Sequence, residues 1–218
     1  MSDTFEMAKK FREMDTTCVS DAMDRLGIQG GCHGISPVVS GSKAVGPAFT
    51  VSYVPCGVDM GTVGDFLDDV APGQVVVLDN SGRTYCTVWG DIMTFYSQKR
   101  GFAGTVIDGV CRDLPRILET RYPIFTRGRF MVTGKDRVEV AGVNIPVSIG
   151  NIKVCPNDIM LCDDSGVLVV PLKQAEVILE VAAEINEKEQ RILEMLDKGM
   201  TLGEARQKMG YHSLQKKR

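Results

Sequence analysis

The sequence lacks both a long hydrophobic run and an excess of basic charge. No apolar stretch approaches the roughly 18 residues of a membrane helix, and the N-terminus has no secretory signal pattern. Lysine and arginine together number 25 against 28 acidic residues, a net charge of −3. That balance gives no support to nucleic-acid binding, and residues 216–218 are interpreted as a solvated basic tail. We therefore expect a soluble, cytoplasmic protein with no membrane and no nucleic-acid partner.

The sequence also lacks a paired arrangement of cysteines. Its seven cysteines are odd in number, dispersed along the chain and never spaced as CxxC. This pattern argues against a disulfide framework and a structural zinc site, and favours reduced thiols in a reducing compartment. Cys32-His33 is a candidate pair of metal ligands, but its position among Gly30, Gly31 and Gly34 favours an ordinary loop.

The chain is long enough for one sizeable domain with a terminal extension, because it has 218 residues of which 44% are hydrophobic. We predict helices over about 4–15 and from an N-cap at Thr17 to a stop at Gly27. Strands are predicted over 44–54, with an interruption at Gly46-Pro47, and over 74–78 and 84–88. A helix over 60–70 is predicted between the first two of these strands. Short strands within 123–171 predict a second, mainly antiparallel layer, so the fold class is α/β with a partly parallel sheet.

Candidate functional residues concentrate in residues 89–113, which read as a turn, a helix over 91–100, a breaker at Gly101 and a strand over 105–107. The start of a helix offers unpaired backbone N–H groups that attract an anion. These N–H groups belong to Gly90, Asp91, Ile92 and Met93. At the far end of the strand, Arg112 is suited to grip a carboxylate and Asp113 to hold a hard cation. One corner of the fold is therefore predicted to bind a small oxoacid and a metal ion together.

The spacing D-x20-R-D, from Asp91 to Arg112-Asp113, resembles that of the RraA-like family, and in particular its divalent-metal-dependent pyruvate aldolases. The resemblance extends over most of the chain, through the segments TTCVSDAMDRLG, APGQVVVLDN, YPIFTRG and VCPNDIMLCDDSGVLVVP. It implies a three-layer ββα swivelling-domain fold with a C-terminal helical extension. The corresponding division is residues 1–171 for the domain and 172–218 for an extension that packs on a neighbouring subunit.

The resemblance also implies a reaction. The relatives in question are 4-hydroxy-4-methyl-2-oxoglutarate and 4-carboxy-4-hydroxy-2-oxoadipate aldolases, class II lyases that cleave 4-hydroxy-2-oxoacids to pyruvate, with oxaloacetate decarboxylase activity. By this analogy Asp113 holds Mg²⁺ or Mn²⁺, and Arg112 neutralises the oxyanion that develops. The N–H groups near Gly90 hold the pyruvyl carboxylate, and Asp91 orients or deprotonates a water molecule as general base.

The C-terminal helix carries a narrow apolar seam with 3-4 spacing, interrupted by Glu189. The seam consists of Ala175, Ile178, Ala182, Ile185, Ile192 and Leu196. One interpretation is that Glu189 extends to solvent beside Lys188 or Arg191. The resemblance implies another, in which Glu189 reaches the active site of a neighbouring subunit in a homotrimer or a pair of trimers. After it, Thr201 to Glu204 predicts a capping box that opens a last helix, closed by Gly210.

One position departs from the pattern of the family aldolases, which continue as R-D-x2-E/D. Here Arg116 stands where the second acid belongs, so metal binding is weakened or a more acidic substrate is recognised. Without the family context, Arg112-Asp113 reads as a surface pair and Asp91 as an acid favoured by the helix dipole. The alternative function is a non-catalytic regulator that binds a ribonuclease. A methyltransferase is not supported, since no glycine-rich cofactor loop is present.

Overall fold

The protein forms a mixed α/β fold, and the computed structural model describes residues 2–58 and 61–210. The basic tail at 216–218 lies outside the described residues. The strands are β1 Ser36–Pro37, β2 Ala44–Pro55, β3 Val75–Thr87, β4 Gly104–Cys111, β5 Ile124–Arg129, β6 Val138–Val143, β7 Val147–Ile149, β8 Ile152–Val154, β9 Ile159–Asp163 and β10 Gly166–Val170. The helices are α1 Ser2–Lys10, α2 Thr16–Leu26, α3 Asp91–Arg100, α4 Leu114–Thr120, α5 Ala175–Asp197 and α6 Leu202–Met209. Short 3-10 helices cover Phe11–Glu13, Asp65–Asp69 and Leu172–Gln174.

The main sheet has eight strands in the order β1-β5-β4-β3-β2-β9-β10, with β6 paired to β2. Strands β2, β3, β4 and β5 run parallel to their neighbours in this group, whereas β1, β6, β9 and β10 pair antiparallel. All eight residues of β4 are buried, as expected of a parallel strand covered on both faces. The predicted partly parallel sheet and the predicted antiparallel additions are both confirmed.

Three apolar clusters define the layers. Val76, Leu78 and Ile107 pack with Trp89 and Ile117 on the helical side of the sheet, under α3 and α4. On the other side, Val75, Val77 and Val106 pack against the β7–β8 hairpin and against β9 and β10. A third cluster joins α1, α2 and the first half of α5 to β9 and β10. The molecule therefore has the ββα layering and the C-terminal helical extension expected from the resemblance.

Several boundaries differ from the prediction. Strand β2 is continuous through Gly46-Pro47, because Gly46 lies against Gly73 O with no room for a side chain while β2 changes partner from β9 to β3. The predicted strands over 74–78 and 84–88 form one long irregular strand, β3. The N-cap of α2 is Asp15, whose side chain accepts a hydrogen bond from Cys18 N, and not Thr17. The predicted first helix ends earlier, at Glu13.

The helix predicted over 60–70 is reduced to the 3-10 helix Asp65–Asp69, and residues 59 and 60 lie outside the described residues. The boundaries of α3 agree with the prediction, and α4 has Pro115 in its first turn. The capping box at Thr201 and the stop at Gly210 are confirmed as well.

The seam of α5 is buried as predicted at Ala175, Ile178, Ala182, Ile185 and Ile192. Its first half packs on α2 of the same chain, where Arg25 pairs with Glu184 at 3.0 Å and Cys18 Sγ donates to Ala182 O. Within the described residues, no helix has the length and apolar character needed to cross a membrane. The division at residue 171 stays a prediction.

Candidate active site

The predicted corner forms where two neighbouring parallel strands end at the same edge of the sheet. Strand β3 leads through Trp89 and Gly90 into α3, and β4 leads through Arg112 and Asp113 into α4. Arg112 N donates a hydrogen bond of 3.1 Å to Trp89 O, which ties the two connections together. The carboxyl ends of parallel strands are the usual location of ligand sites in such sheets.

A buried hydrogen-bond network fixes the turn between β3 and α3. The hydroxyl oxygen of Thr87 lies 2.9 Å from Trp89 O and 2.8 Å from Val110 O, and Trp89 N donates to it at 3.2 Å. Trp89 Nε1 donates to Thr94 Oγ1, which donates to Gly90 O. The indole also stacks on Tyr122 with a ring separation of 6.4 Å. The corner is thus held from inside the core, so its outer groups are preorganised.

Asp113 has an uncommon backbone conformation for a residue with a side chain. Its φ of 59° and ψ of 42° are left-handed, a region that aspartate tolerates better than most residues. Its carboxylate oxygen Oδ2 accepts a hydrogen bond from Asp91 N at 3.1 Å and lies 3.3 Å from Arg112 Nε. A Cβ atom at position 90 would lie 2.6 Å from that oxygen, so the carboxylate requires glycine there. Such outliers concentrate at functional sites.

The start of α3 is partly occupied by the protein's own carboxylates. Asp91 N donates to Asp113, and Ile92 N donates to Asp91 Oδ1 at 2.8 Å. Among the described residues, the N–H groups of Gly90 and Met93 have no hydrogen-bond acceptor. The structure therefore brings together all the residues predicted for this corner, and leaves two of the four predicted N–H groups open to a ligand.

A cleft of about 480 Å³ lies beside this corner. One wall is the start of α3 with Arg112, and the other is the segment 62–68, which includes the 3-10 helix. The segment is held in place because Tyr53 Oη donates to Val63 O at 2.6 Å and Tyr96 Oη donates to Asp68. The wall away from Arg112 carries two carboxylates, Asp65 and Asp68.

Two smaller hollows adjoin the same corner. One, of about 300 Å³, is lined by Arg112, Asp113, Arg129 and the apolar side chains of Leu114, Phe130 and Met131, together with Cys111. Burial raises the pKa of the Cys111 thiol to about 11, so this cysteine is a neutral thiol. The other hollow, of about 360 Å³, lies between Asp91, Asp113, Pro115, Arg116 and Glu119. The Arg112-Asp113 pair stands where the three concavities meet.

Arg116 does not face the corner as a free cation. Its guanidinium pairs with Glu119 at 3.1 Å, one turn further along α4. The carboxylate of Glu119 therefore offsets the positive charge that stands where family aldolases have an acid. Both side chains are well exposed, so the pair is screened by solvent.

The donor set of the corner fits a hydrated divalent cation and not a fully protein-ligated ion. Within the described residues, no group of three or more His, Cys, Asp or Glu side chains could hold a metal. The Asp113 carboxylate is 37% exposed and uses only Oδ2 for protein hydrogen bonds, which leaves Oδ1 facing solvent. Mg²⁺ commonly binds through one or two carboxylates while it keeps several waters.

Glu189 lies elsewhere in the chain, on α5 beside α2. Burial raises its pKa, and the negative charges of Asp21 and Asp15 raise it further. None of the residues that line the three concavities at the corner comes from α5. A single chain therefore does not bring Glu189 to Arg112, and its predicted role requires a second copy.

A model of the RraA-like family, described as Aldolase/RraA, matches residues 16–169. The chain belongs to this family. Among RraA-like relatives, one named "Putative 4-hydroxy-4-methyl-2-oxoglutarate aldolase" from Halalkalibacterium halodurans is 33% identical over 173 residues, covering 79% of this chain and 80% of that one. Protein DlpA of Legionella pneumophila is 38% identical over 196 residues, which cover 88% of this chain. The match spans only 32% of DlpA.

Two solved structures show the same fold. An uncharacterized protein from Pseudomonas syringae has a TM-score of 0.86 and 43% identity, with 92% of this chain and 96% of that chain covered. Streptomyces coelicolor RraAS2, described as an unusual member of the RNase ES inhibitor RraA family, has a TM-score of 0.77 and 28% identity. Its alignment covers 85% of this chain and 94% of that one. The RraA-like fold is therefore shown by sequence and structure together.

Sequence reasoning missed the residues that support the corner. The role of Thr87 could not be predicted, because an isolated threonine at a strand end is common. Its role depends on three backbone groups, Trp89 O, Val110 O and Trp89 N, that come together only when the chain folds. Asp108 pairs with Arg127 and accepts a hydrogen bond from Gly150 N at 2.7 Å. The cleft wall at 62–68 was missed because its Gly and Asp residues were read as part of a longer helix.

Proposed function

We propose that this RraA-like protein is a divalent-metal-dependent lyase that cleaves 4-hydroxy-2-oxoacids to pyruvate and also decarboxylates oxaloacetate. The observation that carries the proposal is the Asp113 carboxylate, held in left-handed backbone against Gly90 with Arg112 beside it. Arg112 and Gly90 of this arrangement also line a cleft of about 480 Å³, a size suited to a small oxoacid. The name of the Halalkalibacterium relative gives independent support.

The chain's own residues supply three functions. The open N–H groups of Gly90 and Met93, at the positive end of α3, bind the carboxylate next to the keto group. Arg112 lies over the same position and neutralises the negative charge that develops on the keto oxygen, an effect commonly worth a few kcal/mol. Asp91, whose second oxygen is free of protein hydrogen bonds in the described residues, accepts the proton of the C4 hydroxyl through a water molecule.

Asp113 would hold the divalent cation, with water and substrate oxygens as the other ligands. When bound, the cation supplies Lewis-acid stabilisation of the enolate that the cleavage leaves on the pyruvyl fragment. The hydrogen bond from Asp91 N and the contact with Arg112 hold the Asp113 carboxylate in a single orientation.

The test is release of pyruvate from 4-hydroxy-4-methyl-2-oxoglutarate and from oxaloacetate in the presence of Mg²⁺ or Mn²⁺. Arg112→Ala is expected to lower kcat by roughly 10²- to 10³-fold, since removal of one oxyanion donor has that effect. Arg12→Ala, an exposed arginine far from the corner, is the matched control and keeps full activity. Activity that survives both EDTA and Arg112→Ala would exclude this site.

The second candidate is a regulator that binds a ribonuclease without catalysis, and it is favoured by the likeness to RraAS2. The two functions make opposite predictions for the corner. Ribonuclease inhibition that survives Asp113→Asn and needs no metal would favour the regulator, because a protein surface does not depend on one chelating carboxylate.

We further propose that the active unit is a homotrimer or a pair of trimers in the cytoplasm, in which Glu189 of one copy reaches the corner of the next. In the single chain burial raises the pKa of Glu189, and the negative charges of Asp21 and Asp15 raise it further, so its ionised form needs compensation. The guanidinium of Arg112 on a second copy would supply it. The free thiol state of all seven cysteines agrees with a reducing compartment.

A further inference from the structure

The side of the corner away from the large cleft carries a second exposed arginine. Arg129 is the last residue of β5, and its Cα is the register partner of Cys111, the residue before Arg112. Adjacent strands lie about 4.8 Å apart, so the two arginines leave neighbouring strands at the same edge of the sheet. Both line the hollow of about 300 Å³.

The guanidinium of Arg129 is an uncompensated positive charge. Within residues 2–58 and 61–210, it has no carboxylate partner, whereas Arg116 is paired with Glu119, Arg127 with Asp108 and Arg100 with Asp68. Burial raises the pKa of the Cys111 thiol and the positive charge of Arg129 lowers it by a smaller amount, and both residues line the hollow. The remaining wall, formed by Leu114, Phe130 and Met131, is apolar and suits a short carbon chain.

The opposite cleft has the wrong charge for a second carboxylate. Its far wall carries Asp65 together with Asp68, which is paired with Arg100, and Asp91 stands at its near edge. A carboxylate placed there would meet like charges, which costs binding free energy. For a substrate anchored at Arg112 and the start of α3, the second carboxylate is therefore better placed on the Arg129 side, where Asp113 is the one acid among the described residues that line the hollow.

We infer that Arg129 is a specificity-determining residue that binds the distal carboxylate of a dicarboxylic 2-oxoacid. This assignment rests on the proposed function and adds an orientation of the substrate to it. The pyruvyl part of the substrate lies at Arg112, and the part released on cleavage extends across β5. Arg116, the departure from the family pattern, is not the residue that recognises the additional acid.

The experiment measures binding of oxoacids that cannot be cleaved because they lack the 4-hydroxyl group, with Mg²⁺ present. 2-Oxoglutarate and 2-oxopentanoate have the same length and differ by one distal carboxylate. The wild-type protein is expected to bind 2-oxoglutarate roughly tenfold more tightly in titration calorimetry, as a hydrogen-bonded charge pair provides. Arg129→Ala removes this preference and leaves 2-oxopentanoate binding unchanged, while Arg129→Lys retains part of it.

Arg12→Ala is the control for the loss of a positive charge and keeps the preference. If Arg129→Ala keeps the preference, or if Arg116→Ala loses it instead, the assignment to Arg129 is overturned. Equal binding of both oxoacids by the wild-type protein also overturns it, while the proposed function stands. If the wild-type protein binds neither oxoacid, the proposed function fails first and the inference fails with it.

Discussion

At the scale of single residues, Gly90 and Asp113 constrain each other. Gly90 has an ordinary extended backbone, with φ −145°, so it is not needed for its conformational freedom. It is needed for space, because a Cβ there would lie 2.6 Å from Asp113 Oδ2 and 3.3 Å from Arg112 Nε. The side chains of Asp113 and Arg112, proposed for metal and oxyanion binding, thus pack against a position that must lack a side chain.

Gly90→Ala is expected to displace the Asp113 carboxylate while the fold remains intact. Because a displacement of about 1 Å in an active site costs roughly 10²-fold in rate, pyruvate release should fall by about that factor. Affinity for Mn²⁺, measured by titration calorimetry or electron paramagnetic resonance, should fall in parallel. The control is Gly203→Ala, in α6, where a Cβ meets nothing within 4 Å. A Gly90→Ala protein with normal metal affinity would contradict the arrangement.

At the scale of elements, the β3–α3 connection depends on one buried hydroxyl. Thr87→Val keeps the shape of the side chain but removes the contacts to the carbonyls of Trp89 and Val110 and the acceptor for Trp89 N. Buried polar groups left without partners cost about 1–3 kcal/mol, so the free energy of unfolding should fall by that amount. Urea unfolding monitored by the fluorescence of Trp89, the single tryptophan, measures it.

Thr84→Val is the matched control, because Thr84 is exposed on the same strand and its replacement should change stability by less than about 0.5 kcal/mol. Equal effects of the two substitutions would show that the network does not hold the connection. The activity of Thr87→Val should also fall, since the turn that positions Gly90 and Arg112 is loosened.

The parts of the fold that the sequence predicted are those determined by local signals. Helix α3 begins after Gly90 and ends before Gly101, which has a left-handed conformation, so both of its boundaries could be predicted. Helix α4 has Pro115 in its first turn, where proline is common. The same holds for the capping box at Thr201. The corner itself was predicted from the helix start after Gly90 and from the D-x20-R-D spacing of Asp91 and Arg112-Asp113, which resembles that of the RraA-like family.

The parts that were missed depend on contacts between distant segments. Continuity of β2 through Gly46-Pro47 results from packing against Gly73, and no local rule indicates it. The cleft wall at 62–68 is fixed by Tyr53 and Tyr96 from two other elements. The role inferred for Arg129 depends on its register beside Cys111 and on the pairing of the other arginines, which only the structure shows.

At the scale of the whole molecule, the effect of the Glu189 charge on stability should differ between a single chain and an assembly. Burial and the charges of Asp21 and Asp15 raise its pKa in the folded chain above the unfolded value of about 4.3. The ionised form therefore weakens the single chain, and stability is lost as pH rises from the unfolded pKa through the folded one. Glu189→Gln should stabilise a dilute, monomeric sample at pH 7 and make no difference below about pH 4.

Thermal unfolding between pH 4 and 8 measures this, with Glu187→Gln, an exposed glutamate on the same helix paired with Arg191, as the control. At concentrations where light scattering shows a trimer or hexamer, the sign should reverse. In the proposed assembly Glu189 would face Arg112 of the next copy, so its neutralisation should weaken the assembly. Stabilisation by Glu189→Gln at every concentration would mean that the residue meets no cation across an interface.

A shared active site also predicts complementation between two inactive proteins. Arg112→Ala lacks the oxyanion partner in its own corner but still offers a normal Glu189 to its neighbour, whereas Glu189→Gln has the opposite defect. When the two variants are unfolded together and refolded as mixed oligomers, some corners combine a wild-type Arg112 with a wild-type Glu189. Pyruvate release should therefore reappear in the mixture, at a level set by the fraction of such corners. If Glu189 acted within its own chain, mixing would restore no pyruvate release. Each chain would then lack either Arg112 or Glu189, so no corner would be complete.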